Sequence, residues 1–412
     1  MNFIIETKTL KKVLKNLNLF IEKKPIIKAL GEFKVIADNE KQEVTFFATN
    51  LERGITITEK TIVQHEGIVL IKFKPFANFI KTLKTPQVIL DITREELKVN
   101  GINLGNLAER DYNEFPENFP TGIGMIEQGF ETKEIFPVLE KMIKGGIWNQ
   151  KINTHTGGRE ILNHINFKVN EYNLLEITVC GGNFLMNRKK LPLIEKDTRL
   201  NYEFNLDPYT MKVVYEIAKR EEEVSFFAKY ETESKDNWNS VIFKTGNTEI
   251  FCRKEQGKYP NYDIILQGRR EYGDERFSYG IDTEKMLQIC NILNSQNNVK
   301  ERDYPSQNED YNLIKTKNTE GELTVTDRYG NNLYYSQKIY NTSDFIFWFS
   351  PFLLEGILKI IGSDLVYLSY YGYDKNETEY NLSNQHLPFF LEDKTNSYNI
   401  TYVIMPVRIK SE

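Results

Sequence analysis

Three times along the chain an alternating apolar strand runs into a Pro–aromatic step and then into a helix-period segment. The first is Gly67-Ile-Val-Leu-Ile-Lys-Phe-Lys-Pro75-Phe76, followed by 77–84. The second is Asn201-Tyr-Glu-Phe-Asn-Leu-Asp-Pro208-Tyr209, followed by 210–220. The third is Asp344-Phe-Ile-Phe-Trp-Phe-Ser-Pro351-Phe352, followed by 353–361. The prolines lie 133 and 143 residues apart. That period is too long for a solenoid unit and has the size of a domain. Proline is tolerated where a helix begins, because its missing N–H would be unpaired there anyway. Asp207 and Ser350 can cap the second and third helices, whereas Lys74 cannot cap the first.

After each step the apolar residues recur at helical spacing: Phe76, Phe79, Ile80, Leu83; Met211, Val214, Tyr215, Ala218; Leu354, Ile357, Leu358, Ile361. Each third also opens with a helix, striped by Leu10, Val13, Leu14, Leu17; by Ile135, Val138, Leu139, Met142; and by Met286, Ile289, Cys290, Leu293. Such stripes predict helices with one buried face. Short runs rich in Val, Ile, Phe, Tyr and Thr predict strands at 31–37, 43–48, 87–92, 161–169, 174–180, 224–228, 323–327 and 365–370. Asn, Gly, Asp and Lys turns between them point to antiparallel pairing. The fold class is therefore α+β, with two helices laid on antiparallel sheet in each of three similar domains, 1–122, 123–268 and 269–412.

No stretch approaches a membrane span, and the N-terminal residues lack the pattern of a secretory signal. Cys180, Cys252 and Cys290 are odd in number and scattered, which fits buried thiols in a reducing cytoplasm. His65, His155, His164 and His386 have no metal-ligand spacing, and no phosphate loop, nucleophile elbow or dinucleotide fingerprint occurs. Glu221-Glu222-Glu223 reads as a solvated helix end. The repeat carries no repeated catalytic constellation, so no catalytic residue, metal or cofactor is assigned and no enzymatic activity is expected. The net charge is −5, yet Lys8, Lys11, Lys12 and Lys15 line the face opposite the first apolar stripe. Like charges at that spacing repel by a few tenths of a kcal/mol per pair, at order of magnitude. Lys74 and Lys81, then Lys133, Lys141 and Lys144, then Lys212, Lys219 and Arg220 repeat the bias. A positive face on a negative body is the footprint of phosphate-backbone binding.

Several segments resemble the bacterial sliding clamp, the beta-subunit processivity factor of the replicative DNA polymerase. They are Met1-Asn-Phe-Ile-Ile-Glu6, Lys24-Pro25-Ile-Ile-Lys-Ala-Leu30, Phe47-Ala-Thr-Asn-Leu-Glu52, Asn113-Glu-Phe-Pro116, Gly257-Lys-Tyr-Pro-Asn-Tyr262 and the tail Tyr402-Val-Ile-Met-Pro-Val-Arg-Ile409. They run the length of the chain in the family's order. The resemblance implies a DNA-clamp fold with two chains closing head-to-tail into a ring, helices lining the hole and sheets outside. It implies a homodimer that encircles double-stranded DNA without sequence preference and tethers the replicative DNA polymerase and clamp loader. On this reading Lys8, Lys12, Lys15, Lys24, Lys81, Lys141 and Lys212 contact phosphates, with Lys24 carried over from the family. Lysine suits that task as a flexible point charge.

The resemblance also implies a partner-peptide cleft at Leu162, Cys180, Gly182, Asn183, Phe184, Leu185, Pro260, Ile264, Ile265, Val403, Met405, Pro406, Val407 and Arg408. Where the family has Thr-Asp-Gly-His-Arg-Leu, this chain has Cys180-Gly181-Gly182-Asn183-Phe184-Leu185, and Ile264 replaces a basic residue. The cleft should thus be more apolar and less basic than the family's. Without the resemblance, Val403, Met405 and Val407 would read as a terminal edge strand. Ile292 and Leu293 match an apolar pair at the subunit interface, opposite Leu104 and Leu107. Polar segments at 146–159, 231–239, 295–310 and 370–385 read as inserted surface loops. Two further readings stand beside the clamp: a clamp paralogue acting as a protein-binding scaffold, and an enzyme with its site in an interdomain groove.

Overall fold

The computed structural model describes residues 1–93, 96–105, 108–109, 115–116, 126–156, 160–194, 201–219, 222–228, 240–267, 276–296, 313–330, 332–338, 345–371, 388–393 and 398–405. Seven helices occur among them: α1 Thr7–Leu17, α2 Phe73–Thr82, α3 Thr132–Thr156, α4 Pro208–Ala218, α5 Asp263–Gln267, α6 Thr283–Gln296 and α7 Pro351–Ile361. The opening stripes of α1, α3 and α6, and the stripe of α7, are buried at every position named above. Burial of each such side chain contributes about 1.5–3 kcal/mol. Tertiary packing therefore stabilises an 11-residue helix such as α1, which alone in water would be marginal. On α2 and α4 the stripes are buried at Phe76, Ile80, Met211, Val214 and Ala218, while Leu83 lies just past the end of α2.

Each Pro–aromatic step joins a strand to a helix. Gly67–Lys72 feeds α2, Tyr202–Leu206 feeds α4, and Phe345–Phe349 feeds α7. Pro208 and Pro351 open their helices, and the Ser350 hydroxyl accepts from the Leu353 N–H at 3.4 Å. Pro75 is the third residue of α2, which starts two residues earlier behind an uncapped Lys72. The shift is cheap, because none of the first four N–H groups has an intrahelical acceptor. Gly362 ends α7 at φ 65°, and its N–H donates to Leu358 O at 2.9 Å. Glycine adopts that left-handed cap without strain.

The chain forms two compact units. One comprises Met1–Lys133, Leu193–Arg199 and Thr210–Lys254; the other comprises Glu134–Pro192, Leu200–Tyr209 and Glu255–Glu412. Among the described residues the strands pair antiparallel throughout, and the hairpins, such as Glu32–Asp38 with Glu43–Thr49 and Ser240–Thr245 with Thr248–Arg253, are those that the turns between them predict. The first unit holds a five-stranded sheet in the order Ile62–His65, Asn2–Glu6, Gln87–Ile92, Leu97–Val99, Ile102–Asn103. Its nine-stranded sheet runs Ala108–Glu109, Gly67–Lys72, Glu32–Asp38, Glu43–Thr49, Arg53–Lys60, Thr248–Arg253, Ser240–Thr245, Glu223–Ala228, Ile126–Glu131. The second unit holds an eight-stranded sheet in the order Tyr202–Leu206, Ile165–Val169, Leu174–Cys180, Phe184–Pro192, Thr401–Ile404, Phe389–Glu392, Leu365–Tyr371, Arg276–Asp282. Its four-stranded sheet runs Leu333–Lys338, Glu322–Thr326, Ile314–Thr319, Phe345–Phe349. Helix α1 packs on α2, and α6 on α7.

Some of the expected element bounds shift. The run 161–169 is a 3-10 turn, Glu160–Asn163, followed by the strand Ile165–Val169. The segment 146–159 is not a loop from its start, because α3 continues to Thr156. Gly145-Gly146 looks like a helix breaker, but a Cβ on Gly145 would lie 2.4 Å from Met186 Sδ, and one on Gly146 2.7 Å from Pro208 Cγ. These glycines are there for close approach. The segment 231–239 lies outside the described residues; of the other two expected loops, 295–296 still belong to α6 and 370–371 to the strand Leu365–Tyr371, while 297–310 and 372–385 lie outside the described residues.

Beyond the glycines, the Trp148 ring sits 4.7 Å from that of Phe184 and 6.3 Å from that of Phe352, centroid to centroid. A Cβ on Gly356 of α7 would lie 2.1 Å from the Trp148 ring. Gly356→Ala should therefore destabilise the protein despite alanine's better helix propensity of up to ~1 kcal/mol. Overpacking costs about 1–3 kcal/mol. Chemical denaturation measures the difference, and a more stable variant would contradict this packing.

Candidate nucleic-acid interface and partner site

The lysines of the first two helices divide by what they touch. Lys11 Nζ donates to Leu83 O at 2.8 Å and so caps the end of α2. Lys8, Lys12 and Lys15 are exposed on α1, and Lys74 and Lys81 on α2; among the described residues none pairs with an acid. Lys24 is exposed just ahead of the 3-10 turn Lys28–Gly31, and Lys212 is exposed on α4. Elsewhere the lysine bias is neutralised locally. Lys133 pairs with Glu131 at 2.8 Å, Lys144 with Glu140 at 2.7 Å, and Lys219 with Glu216 at 2.6 Å.

Lys141 does not fit the expected phosphate role. Its ammonium donates to Ile360 O at 2.9 Å and Ile361 O at 2.8 Å, the last carbonyls of α7. Burial, and then the neighbouring Lys144, lower its pKa from the ordinary lysine value. It is a helix cap. The apolar stripe that places Lys141 on α3 says nothing of a second helix ending within its reach.

In the second unit, Cys180, Leu185, Tyr259, Tyr262, Phe390 and Val403 form one buried cluster. Ile161, Leu162, Ile265 and Leu266 pack on it while remaining partly exposed. The hairpin Leu174–Cys180/Phe184–Pro192 supplies Cys180 and Leu185, and the adjacent strand Thr401–Ile404 supplies Val403. Helix α5 lays Ile265 and Leu266 over them. Met405 N donates to Asn183 O at 2.9 Å, which ties the end of the last strand to the hairpin turn. Of the expected cleft residues, Leu162, Cys180, Leu185, Ile265 and Val403 thus share one cluster. Phe184 is buried beside Trp148, Pro260 and Met405 are half-buried, and Gly182 is exposed. Ile264 is 69% exposed. Pro406, Val407 and Arg408 lie outside the described residues.

The electrostatics of this patch are muted. Burial pushes the Cys180 thiol up to about 11, so it stays protonated and unreactive, with Sγ donating to Gly181 O at 3.4 Å. Asp263 at the rim is met by Lys189, Nζ to Oδ1 at 2.6 Å, with Glu176 at 3.5 Å. Burial disfavours that ammonium, but the two carboxylates hold its pKa above the usual lysine value. Tyr259 was legible only as part of a motif. Its hydroxyl accepts from the Cys180 N–H at 2.8 Å and donates to His164 O at 3.3 Å.

The expected interface pair separates. Ile292 is 43% exposed on α6, whereas Leu293 is wholly buried within its own chain and cannot meet a partner. Leu293 already belongs to the i, i+3, i+4, i+7 stripe of α6, and that periodicity decides its place. Leu104 is half-buried, and Leu107 lies outside the described residues. No described group of acids, histidines and cysteines could hold a metal ion, and no described helix is long and apolar enough to cross a membrane.

The sliding clamp from Bacillus subtilis matches this structure over 100% of both chains, with a TM-score of 0.73 and 16% sequence identity. This chain has the sliding-clamp fold. The beta subunit of the Streptococcus pyogenes DNA polymerase matches over 99% of this chain and 100% of its own, with a TM-score of 0.73 at 16% identity. The Helicobacter pylori beta clamp, solved with a DNA ligase peptide, matches over the same shares with a TM-score of 0.70 at 16% identity. No protein-family model and no curated protein sequence matches the chain.

Proposed function

We propose that the protein is a sliding clamp. Two copies close head-to-tail around duplex DNA and tether the replicative polymerase and other replication or repair proteins, including the clamp loader. The clamp performs no chemistry of its own and works in the cytoplasm. The observation that carries this reading is the row of exposed ammonium groups Lys8, Lys12 and Lys15 on α1, which no described acid pairs, in a clamp-fold chain of net charge −5. Maintaining such a self-repelling row has a reason if phosphates neutralise it. Lys24, Lys81 and Lys212 extend the set. The segments 1–122, 123–268 and 269–412 are the three repeats on this account. The apolar patch of Leu162, Ile265 and their neighbours receives short partner peptides, with the half-buried Met405 nearby, and the same role is proposed for Pro406, Val407 and Arg408. Ile292 meets the region of Leu104 and Leu107 in the partner. Among the described strands, Ile102–Asn103 and Leu333–Lys338 lie at sheet edges, and open edges are templates for pairing with another chain.

Replacing Lys24 with Ala should weaken DNA binding equally on unrelated sequences and flatten the salt dependence by about one unit of slope or less. Titration of labelled duplexes at several salt concentrations measures this. Strong sequence preference, or binding that ignores salt, would contradict the phosphate assignment.

A further inference from the structure

We infer that Asn149 is the positioning residue that sets the shape of the apolar patch, and that Gly181 is the residue that allows it to. The inference rests on the reading of that patch as a peptide site. Asn149 lies on the extension of α3 beyond Gly145-Gly146 and is 1% exposed. Its Nδ2 donates to Leu162 O and, at 3.2 Å, to Cys180 O. One amide group has two N–H donors and here serves two carbonyls from segments distant in sequence. Those segments carry Leu162 and the turn 181–184, which is closed by Gly181 N to Phe184 O at 2.9 Å. A buried carbonyl without a donor is disfavoured, so the two walls of the patch are held at the separation that a single amide spans.

Cys180 is gripped from the other direction too, because Tyr259 takes its N–H at 2.8 Å. Both polar backbone groups of Cys180 are thus bonded by side chains. Gly181 makes room for the arrangement. A Cβ there would lie 2.4 Å from the Phe184 ring and 2.7 Å from Asn149 Oδ1. Trp148, the residue before Asn149, fixes the Phe184 ring itself. Asn149 offers no surface to a ligand and acts only through Leu162 and Cys180. A peptide that meets a preformed patch loses less entropy on binding, and that is where affinity is gained.

The test uses the full chain as wild type, Asn149→Leu, Gly181→Ala and Leu139→Ala. Leu139 is buried on the same helix and away from the patch cluster, so its truncation controls for simple loss of stability. The probe is the fluorescein-labelled DNA ligase peptide of the kind that occupies the Helicobacter pylori clamp. Affinity is read by anisotropy, and amide hydrogen exchange is read across 180–185 without peptide. Asn149→Leu and Gly181→Ala should each weaken peptide binding about tenfold and speed exchange across 180–185 by a similar factor. Leu139→Ala should lower the melting temperature while leaving both readouts unchanged. Unchanged affinity and exchange in Asn149→Leu would overturn the inference and leave the peptide reading standing. Wild-type protein that fails to bind the peptide would overturn both.

Discussion

Ile292→Asp should turn a dimer into a folded monomer and abolish retention on circular DNA. Ile292 is 43% exposed, while Ile289, Cys290 and Leu293 beside it on α6 are buried. The substitution therefore spares the fold of one chain and acts only where Ile292 is covered by another. Burying an unpaired carboxylate costs several kcal/mol, on the order of the solvation it forfeits. A nanomolar dimer is held by only about 12 kcal/mol, and each ~1.4 kcal/mol shifts the constant tenfold. Two symmetry-related interfaces per ring would double the effect. Light scattering reads the mass and circular dichroism the fold. A folded Ile292→Asp dimer of unchanged affinity would place the interface elsewhere. Leu293 is unsuitable for this test, since a charge there would disrupt the core of its own chain.

Leu162→Asp should abolish peptide binding, with a loss of at least ~100-fold, about 2.7 kcal/mol. Leu162 is half-buried against the cluster of Cys180, Leu185, Tyr259 and Val403, so its outer face is available to a ligand. A carboxylate beneath the peptide would be desolvated without a partner. Met405→Ala should cost less, about 1–2 kcal/mol. The salt slope of DNA binding should remain unchanged in both variants, because neither removes a cation. Full peptide affinity in Leu162→Asp would make the cluster a purely structural core.

The apolar-striped helices and most of the strand runs named from the sequence were legible because their periodicities are local, whereas the short α5 carries no such stripe. The stripes of α1, α3, α6 and α7 are buried as their spacing requires, and Ser350 caps α7 as its position before Pro351 suggests. Sheet partners were not legible. Alternation tells which face of Arg53–Lys60 is buried, but not that the strand pairs with Thr248–Arg253, nearly two hundred residues on. Nor does it reveal that Phe184–Pro192 pairs with Thr401–Ile404. The resemblance gathered Leu162, Cys180, Leu185, Ile265 and Val403 into one place, and the structure puts them in one cluster. Asn149 was missed because Gly145-Gly146 reads as a stop, whereas close packing against Met186 and Pro208 demands glycine there. The place of Lys141 is hidden from the sequence for a related reason. Its neighbour is a carbonyl end of α7, and no pattern in α3 encodes that.

Topological retention separates an encircling clamp from a protein that binds by contact, and two DNA substrates of identical sequence, one circular and one linear, distinguish them. The protein is loaded with its cognate clamp loader onto a nicked circle, half of the sample is linearised, and retention is followed by gel filtration in moderate salt. An encircling clamp stays on the circle and runs off the free ends of the linear form, since its phosphate contacts are weak enough to slide. Equal retention on circle and line, or dissociation from both at one rate, would contradict encirclement and leave a clamp-fold protein that binds DNA, or its partners, by contact alone.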